Sequence, residues 1–225
     1  MKSVGGVTCR YSTLVFDCDG VVLDSNSLKT EAFYDVALRY GPEAAKALVN
    51  YHIEHGGVSR YKKFEYLLKS ILGESGGDSD VKVLTDSYGE CVYRRLLNCS
   101  VAENLIEVRA MMADQAWMLV SGGDEAELKR IFGERKLASL FDKGIHGSPA
   151  NKDAIFDREL RSGKLKLPAV YIGDSRYDHE AASRAGLDFV FVHGWSEFEG
   201  WQAYCVTHQI PFVRSLSELP ALLGG

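Results

Sequence analysis

Two periodicities divide the chain. Short runs rich in apolar and β-branched residues fall at 12–16, 117–120, 169–172 and 189–192, with weaker extended stretches at 143–146 and 211–213. The first three of these runs stop at Asp17, Ser121 and Gly173, as buried strands do when they feed loops. Between 25 and 100 the spacing is helical. Ala32, Phe33, Val36, Ala37 and Tyr40 share one face of a helix over 28–40, with Ser25 and Asn26 as its cap. Gly41-Pro42 starts a second helix over 43–55, Gly56-Gly57 breaks the chain, and Ser59 caps a third running to residue 72. The polar stretch 73–80 is a flexible connection, and a fourth helix covers 81–97. Four helices without a strand between them predict an inserted helical domain at 25–100. The flanking segments, 1–24 and 101–225, alternate strand and helix. Helices are expected at 103–113, 125–132, 152–160, 178–185, 198–208 and 216–223, and residues 1–10 form a loose lead-in. The fold class is therefore α/β, a parallel sheet with helices on both faces plus the helical insert.

The totals narrow the function. Net charge is −5, so no basic field recommends a nucleic acid. No apolar run approaches the roughly 20 residues of a membrane span, and the N-terminus lacks the apolar core of a secretion signal. A cytoplasmic protein acting on a small molecule, as monomer or homodimer, is the expectation. The five cysteines form no CxxC pair, and Cys18 reads as a packing residue.

Candidate chemistry sits at strand ends. The run Leu14-Val15-Phe16 stops at Asp17-Cys18-Asp19-Gly20. Residues i and i+2 of a strand face one way, so both acids can enter one pocket. Two close carboxylates repel unless a cation or shared proton intervenes, which points to a hard divalent cation, Mg²⁺ above all. Taken alone the segment could also be turn chemistry, since Asp and Gly are common turn residues. It is no calcium loop, because its twelfth position is Leu28 rather than Glu. Two further strands end at Ser121-Gly122 and at Asp174, with Asp178 four residues on, and Lys152 lies between them. The C-terminal ends of parallel strands share one edge, so these groups can converge. Asp17 can attack phosphorus and form an aspartyl-phosphate, with Asp19 as acid and base. Ser121 and Lys152 can hold and neutralise phosphoryl oxygens, and Asp17, Asp174 and Asp178 can hold the metal. Each element also has a plain reading: a Ser-Gly-Gly turn, a solvated lysine, or acids favoured at a helix N-terminus.

Together, DCDGV at 17–21, Ser121-Gly122, Lys152 and GDSRYD at 173–178 resemble the four motifs of the haloacid dehalogenase-like hydrolase superfamily. The resemblance implies a Rossmann-like core with Asp17 as nucleophile and Asp19 as acid/base. It implies Mg²⁺ held by Asp17, the Asp19 main-chain carbonyl and Asp174, with Asp178 nearby. Gly20, Ser121 and Gly122 would surround the phosphate. The insert resembles the superfamily's α-helical cap, near the phosphoglycolate phosphatase and β-phosphoglucomutase group, and Asp19 marks the phosphotransferase branch. Lys152 is followed by Asp153 rather than the usual Pro, which leaves Lys143 as the alternative lysine. Within the insert, HGGVSRYKKF at 55–64 is similar to the specificity loop of β-phosphoglucomutases. Arg60 is then the foremost substrate contact, forking onto an anionic group, with His55, Ser59 and Lys63 behind it. In the plain reading Ser59 only caps the helix and the basic residues form its solvated face. Asn26 and Glu31 could line the pocket. His52 and His55, three apart, read as a polar face rather than metal ligands. The implied activity is Mg²⁺-dependent hydrolysis of a sugar or sugar-acid phosphate. A phosphosugar mutase comes second, and a non-catalytic phosphometabolite-binding protein third.

Overall fold

The computed structural model describes residues 9–56, 58–73 and 77–224. Its organising element is a six-stranded, all-parallel sheet whose strands lie, edge to edge, in the order Ile145–Ser148, Ala116–Asp124, Thr13–Phe16, Ala169–Gly173, Asp188–Val192, Phe212–Val213. The first strand, β1 (Thr13–Phe16), lies near the centre. An all-helical stretch follows: α1 (Asn26–Ala37), α2 (Pro42–Glu54), α3 (Arg60–Tyr66) and α4 (Asp78–Asn98). The chain then alternates: α5 (Leu105–Met111), β2 (Ala116–Asp124), α6 (Glu125–Glu134), β3 (Ile145–Ser148), α7 (Lys152–Arg161), β4 (Ala169–Gly173) and α8 (Arg176–Ala185). It closes with β5 (Asp188–Val192), α9 (Trp201–His208), β6 (Phe212–Val213) and α10 (Leu219–Leu223). No helix among the described residues is long and apolar enough to cross a membrane.

Strand alternation builds two cores. Leu14, Phe16, Trp117, Leu119, Val170 and Ile172 face one side of the sheet, and their cluster continues into the helical insert. Val15, Met118, Val120 and Tyr171 face the other. Both faces are covered, so the central strands are buried throughout, as parallel sheets require. Cys18 packs in the first cluster, turned away from the two acids beside it.

Local differences from the sequence expectation have physical causes. β2 does not stop at Val120 but runs on to Asp124, with a register slip against β3 between Val120 and Asp124. Small residues let the two backbones close up. A Cβ on Gly147 would stand 2.4 Å from the Gly123 carbonyl oxygen. β3 begins at Ile145, two residues later than expected, and through this close approach extends to Ser148. The third helix of the insert is not uniform. After α3 the hydrogen bonding slips to a wider turn over Leu67–Ile71, closed by Leu72 N–H on the Leu67 carbonyl (3.0 Å). α4 begins at Asp78, inside the stretch expected to be a flexible connection. Its start is fixed by the Gly77 N–H on the Asp80 carboxylate (3.0 Å). Residues 74–76 of that connection and residues 1–8 of the lead-in lie outside the described residues. α9 starts at Trp201, because residues 198–200 form a turn closed by Trp201 N–H on the Phe198 carbonyl (3.1 Å).

Candidate active site

Three loops leave the C-terminal sheet edge and meet. β1 continues its pairing through Asp17 N–H on the Ile172 carbonyl (2.9 Å), then folds back as Leu23 N–H binds the Cys18 carbonyl (2.9 Å). Gly20 lies inside this loop at φ +73°, a left-handed conformation that favours glycine. A Cβ there would fall 2.1 Å from Asp174 Oδ2 and 2.3 Å from Asn26 Nδ2. Gly20 is therefore what lets the β4 acid approach the β1 loop. Its own N–H is occupied by the Leu23 carbonyl (2.9 Å), so it offers an anion no donor.

The buried centre is one lysine among acids. Lys152 is the first residue of α7, whose start is capped by the Asn151 side chain on Ala154 N–H (2.8 Å). Its Nζ reaches Asp17 Oδ1 (2.8 Å), the Tyr171 hydroxyl (2.8 Å) and Asp178 Oδ1. The Tyr171 hydroxyl stands 3.0 Å from both Asp178 Oδ1 and the Val120 carbonyl. The other Asp178 oxygen accepts from Ser175 N–H (3.1 Å) and the Ser175 hydroxyl (2.7 Å) at the start of α8. Lys143, the alternative lysine, pairs with Asp142 at 3.6 Å, on a side chain one-third exposed.

Asp174 is held from the insert. Asn26 donates to Asp174 Oδ2 (2.7 Å) and to the Trp195 carbonyl (2.9 Å). Asp19 is held the same way. Lys29 pairs with its Oδ2 at 2.6 Å and the Ser25 hydroxyl donates to its Oδ1 at 2.5 Å. Ser25 and Asn26 read as helix caps in the sequence. In the structure neither caps α1, and both side chains turn to the acids. The Ser121 hydroxyl accepts from Gly123 N–H (3.0 Å) and lies 3.4 Å from Asp19 Oδ2.

Burial and charge set the protonation states. Burial pushes Asp17 up to about 7, against the pull of Lys152. Burial and the neighbouring Asp178 and Asp17 raise Asp174 well above the carboxylate range. Burial also opposes ionisation of Asp19, but Lys29 and Ser25 outweigh it and the pKa falls. Three oxygens, one each from Asp17, Asp174 and Asp178, lie within 4.8 Å of one another. A buried set of hard oxygen donors that resist ionisation together is the donor chemistry of a divalent cation such as Mg²⁺. Because both Asp178 oxygens already have partners, Asp17 and Asp174 are the better placed ligands.

Above these acids is a cavity of about 70 Å³. Asp17, Asp19 and Asp174 line it from the sheet, and Lys29, Arg60 and Lys63 from the insert. Arg60 does not stand open to a ligand. Its two terminal nitrogens fork onto Glu127 of α6 (3.0 and 2.5 Å), and its guanidinium lies 4.7 Å over the Tyr88 ring. Tyr61 adds a second tie to the same helix start, donating to Asp124 at 2.9 Å. Ser59 makes no capping bond. Glu31 points outward to Arg95 (3.3 Å). The two histidines separate: His55 is exposed and stacks on Tyr51, whereas His52 is turned inward against Lys63. Lys29, Tyr171 and Glu127 were not singled out from the sequence. Lys29 carries a readable signal, since it shares the helical stripe of Ala32, Phe33 and Val36. Tyr171 is the one hydroxyl in the otherwise apolar β4.

Known proteins share this frame. A structure from Clostridium acetobutylicum described as a predicted phosphatase superposes with a TM-score of 0.74 at 19% identity, over 94% of this chain and 97% of that one. A HAD hydrolase of family IA, variant 3, from Entamoeba histolytica superposes with a TM-score of 0.72 at 15% identity, over 92% and 94%. At such identities the likeness is one of fold. Fructose-1-phosphate phosphatase YqaB of Escherichia coli is 25% identical over 190 residues, covering 81% of this chain and 97% of that protein. The model of the haloacid dehalogenase-like hydrolases matches residues 14–192, the span from β1 through β5 that carries all four strand-end motifs. With that span matched and its acids gathered at one sheet edge, the chain belongs to the haloacid dehalogenase-like hydrolase family.

Proposed function

We propose that the protein is a phosphomonoester hydrolase acting on a small sugar or sugar-acid phosphate. The observation that carries the reading is the Asp17 carboxylate, held at Oδ1 by Lys152 and lining the cavity beside Asp19 and Asp174. The free Asp17 oxygen attacks phosphorus and the bond to the ester oxygen breaks. Asp19 passes its proton to that leaving oxygen, giving the alcohol and an aspartyl-phosphate. Asp19 then takes a proton from water, the hydroxide attacks phosphorus, and the Asp17–phosphorus bond breaks to release inorganic phosphate. Lys29 and Ser25 favour the carboxylate form of Asp19 that the second step needs. Lys152 keeps its positive charge through the cycle, because Asp17 and Asp178 more than offset its burial. Mg²⁺, held by Asp17, the Asp19 main-chain carbonyl and Asp174 with Asp178 behind them, would supply positive charge to the phosphoryl oxygens. Ser121 and Gly122 border the phosphoryl position. Residues 25–100 act as the cap, excluding water over the site, and 1–24 with 101–225 form the catalytic core.

Phosphate release from a panel of sugar and sugar-acid phosphates, with and without Mg²⁺, tests the reading. Asp17→Asn is expected to abolish release. Retained Mg²⁺-dependent release by that variant would overturn the assignment. Product analysis separates hydrolysis from the mutase alternative, in which an isomeric sugar phosphate accumulates instead of inorganic phosphate.

A further inference from the structure

Two of the three cations that the insert brings to the cavity already have partners. Arg60 is closed by Glu127, and Lys29 by Asp19. Lys63 is different. It is 2% exposed and lines the same cavity, and among the described residues no carboxylate lies within ion-pair distance of it. Its Nζ meets the His52 ring nitrogen Nδ1 at 2.5 Å and the His52 carbonyl only at 3.5 Å. The Phe33 ring lies 5.5 Å from Nζ, and the same ring packs on His52 with centroids 4.5 Å apart. An ammonium backed by aromatic surface and held by one neutral acceptor still has donors to satisfy. Buried charges are otherwise paired.

We propose that Lys63, positioned by His52, is the specificity-determining residue of the site. It pairs with an ionised group of the substrate remote from the transferred phosphoryl, as the carboxylate of a sugar acid is. The inference rests on the phosphatase reading and narrows it to acidic phosphomonoesters. It also moves the selecting role from Arg60, whose fork is filled from within the protein, to the residue three positions on. Burial, reinforced by the nearby Lys29 against the weaker pull of Asp19 and Glu197, lowers Lys63 to about 7, and burial beside Lys63 lowers His52 well below its usual value. Asp19 and Glu197, both of which line the cavity, act on Lys63 only from beyond ion-pair distance, so an entering carboxylate supplies the direct partner that Lys63 lacks.

The test compares matched pairs differing in one carboxylate: 3-phosphoglycerate with glycerol 3-phosphate, and 6-phosphogluconate with glucose 6-phosphate. The wild type is expected to favour the acid of each pair by at least tenfold in kcat/KM. Lys63→Gln is expected to reduce that ratio at least tenfold. His52→Leu is expected to raise KM for the acid more than it lowers kcat. A wild type without acid preference, or a Lys63→Gln variant that loses both partners equally, would overturn the proposal. Calorimetric binding of the first pair to Asp17→Asn, with and without Lys63→Gln, separates this inference from the one beneath it. Lys63-dependent preference for 3-phosphoglycerate without turnover by the wild type sinks the hydrolase reading and leaves the selecting role of Lys63. Turnover by the wild type with no such preference does the reverse.

Discussion

The Arg60–Glu127 fork joins the insert to the core, and its energetics can be measured by a double-mutant cycle. The two side chains are 6% and 13% exposed, so the small value of a surface ion pair does not apply. Arg60→Met leaves Glu127 without its counter-ion at the start of α6, and Glu127→Leu leaves Arg60 enclosed beside Tyr88. Removing one partner of a buried pair costs about 3–5 kcal/mol, whereas replacing both by apolar groups is often close to neutral. Glu127 keeps a little solvent contact, so its orphaning should fall at the lower end, about 3 kcal/mol. With the double variant within about 1 kcal/mol of wild type and each single variant costing about 3 kcal/mol or more, the coupling energy should be at least ~5 kcal/mol. Urea unfolding followed by circular dichroism and by fluorescence of the buried Trp117 gives the four stabilities. Because the pair is largely enclosed, the coupling should change little between low salt and 0.5 M salt. Coupling below ~0.5 kcal/mol, or coupling that salt abolishes, would show that the fork behaves as an exposed ion pair. In that case Arg60 would again be free to meet a substrate anion.

Three further outcomes follow from named atoms. Lys63 has a folded pKa of about 7 against 10.5 for an ordinary lysine, so between those values the unfolded chain holds a proton that the folded one lacks. Wild-type stability should therefore rise with pH across that window. Lys63→Met should stabilise most below pH 7, by at most about 5 kcal/mol at 1.36 kcal/mol per pKa unit, and its advantage should vanish above pH 10.5. A pH-independent difference in urea midpoints would refute this. Mg²⁺ should raise Tm by relieving the repulsion among Asp17, Asp174 and Asp178, and Asp174→Asn should remove most of that rise in a thermal-shift assay. Gly20→Ala should cost about 1–3 kcal/mol from the left-handed backbone and displaced neighbours, and should lower kcat because Asp174 must move. An alanine variant with wild-type kcat and Tm would show that the loop can give way freely.

Much of the site was legible because its motif residues announce themselves by position. Asp17, Asp19, Ser121 and Asp174 stand where apolar runs meet turn residues, and a parallel sheet gathers such ends on one edge. What misled was charge. Arg60 and Lys63 belong to the same helical stripe as Phe64 and Leu67, so periodicity already placed them inward, yet their charge suggested a solvated face. Asn26 and Ser25 suit a helix cap by type. Nothing local reveals that acids from the sheet lie closer than the free N–H groups of α1.

The order of residues by itself determined the alternating core, the helical insert and which side chains end each strand. Those features follow from periods of two and 3.6 residues and from turn chemistry, which act over a few positions. Only the folded chain decided which charges are spent and which remain. Arg60 meets Glu127 from 67 positions away and Lys152 meets Asp17 from 135, while Lys63 meets no acid within ion-pair distance among the described residues. Ion pairing depends on distances through space and on exclusion of water, and neither is written in the spacing of residues along the chain.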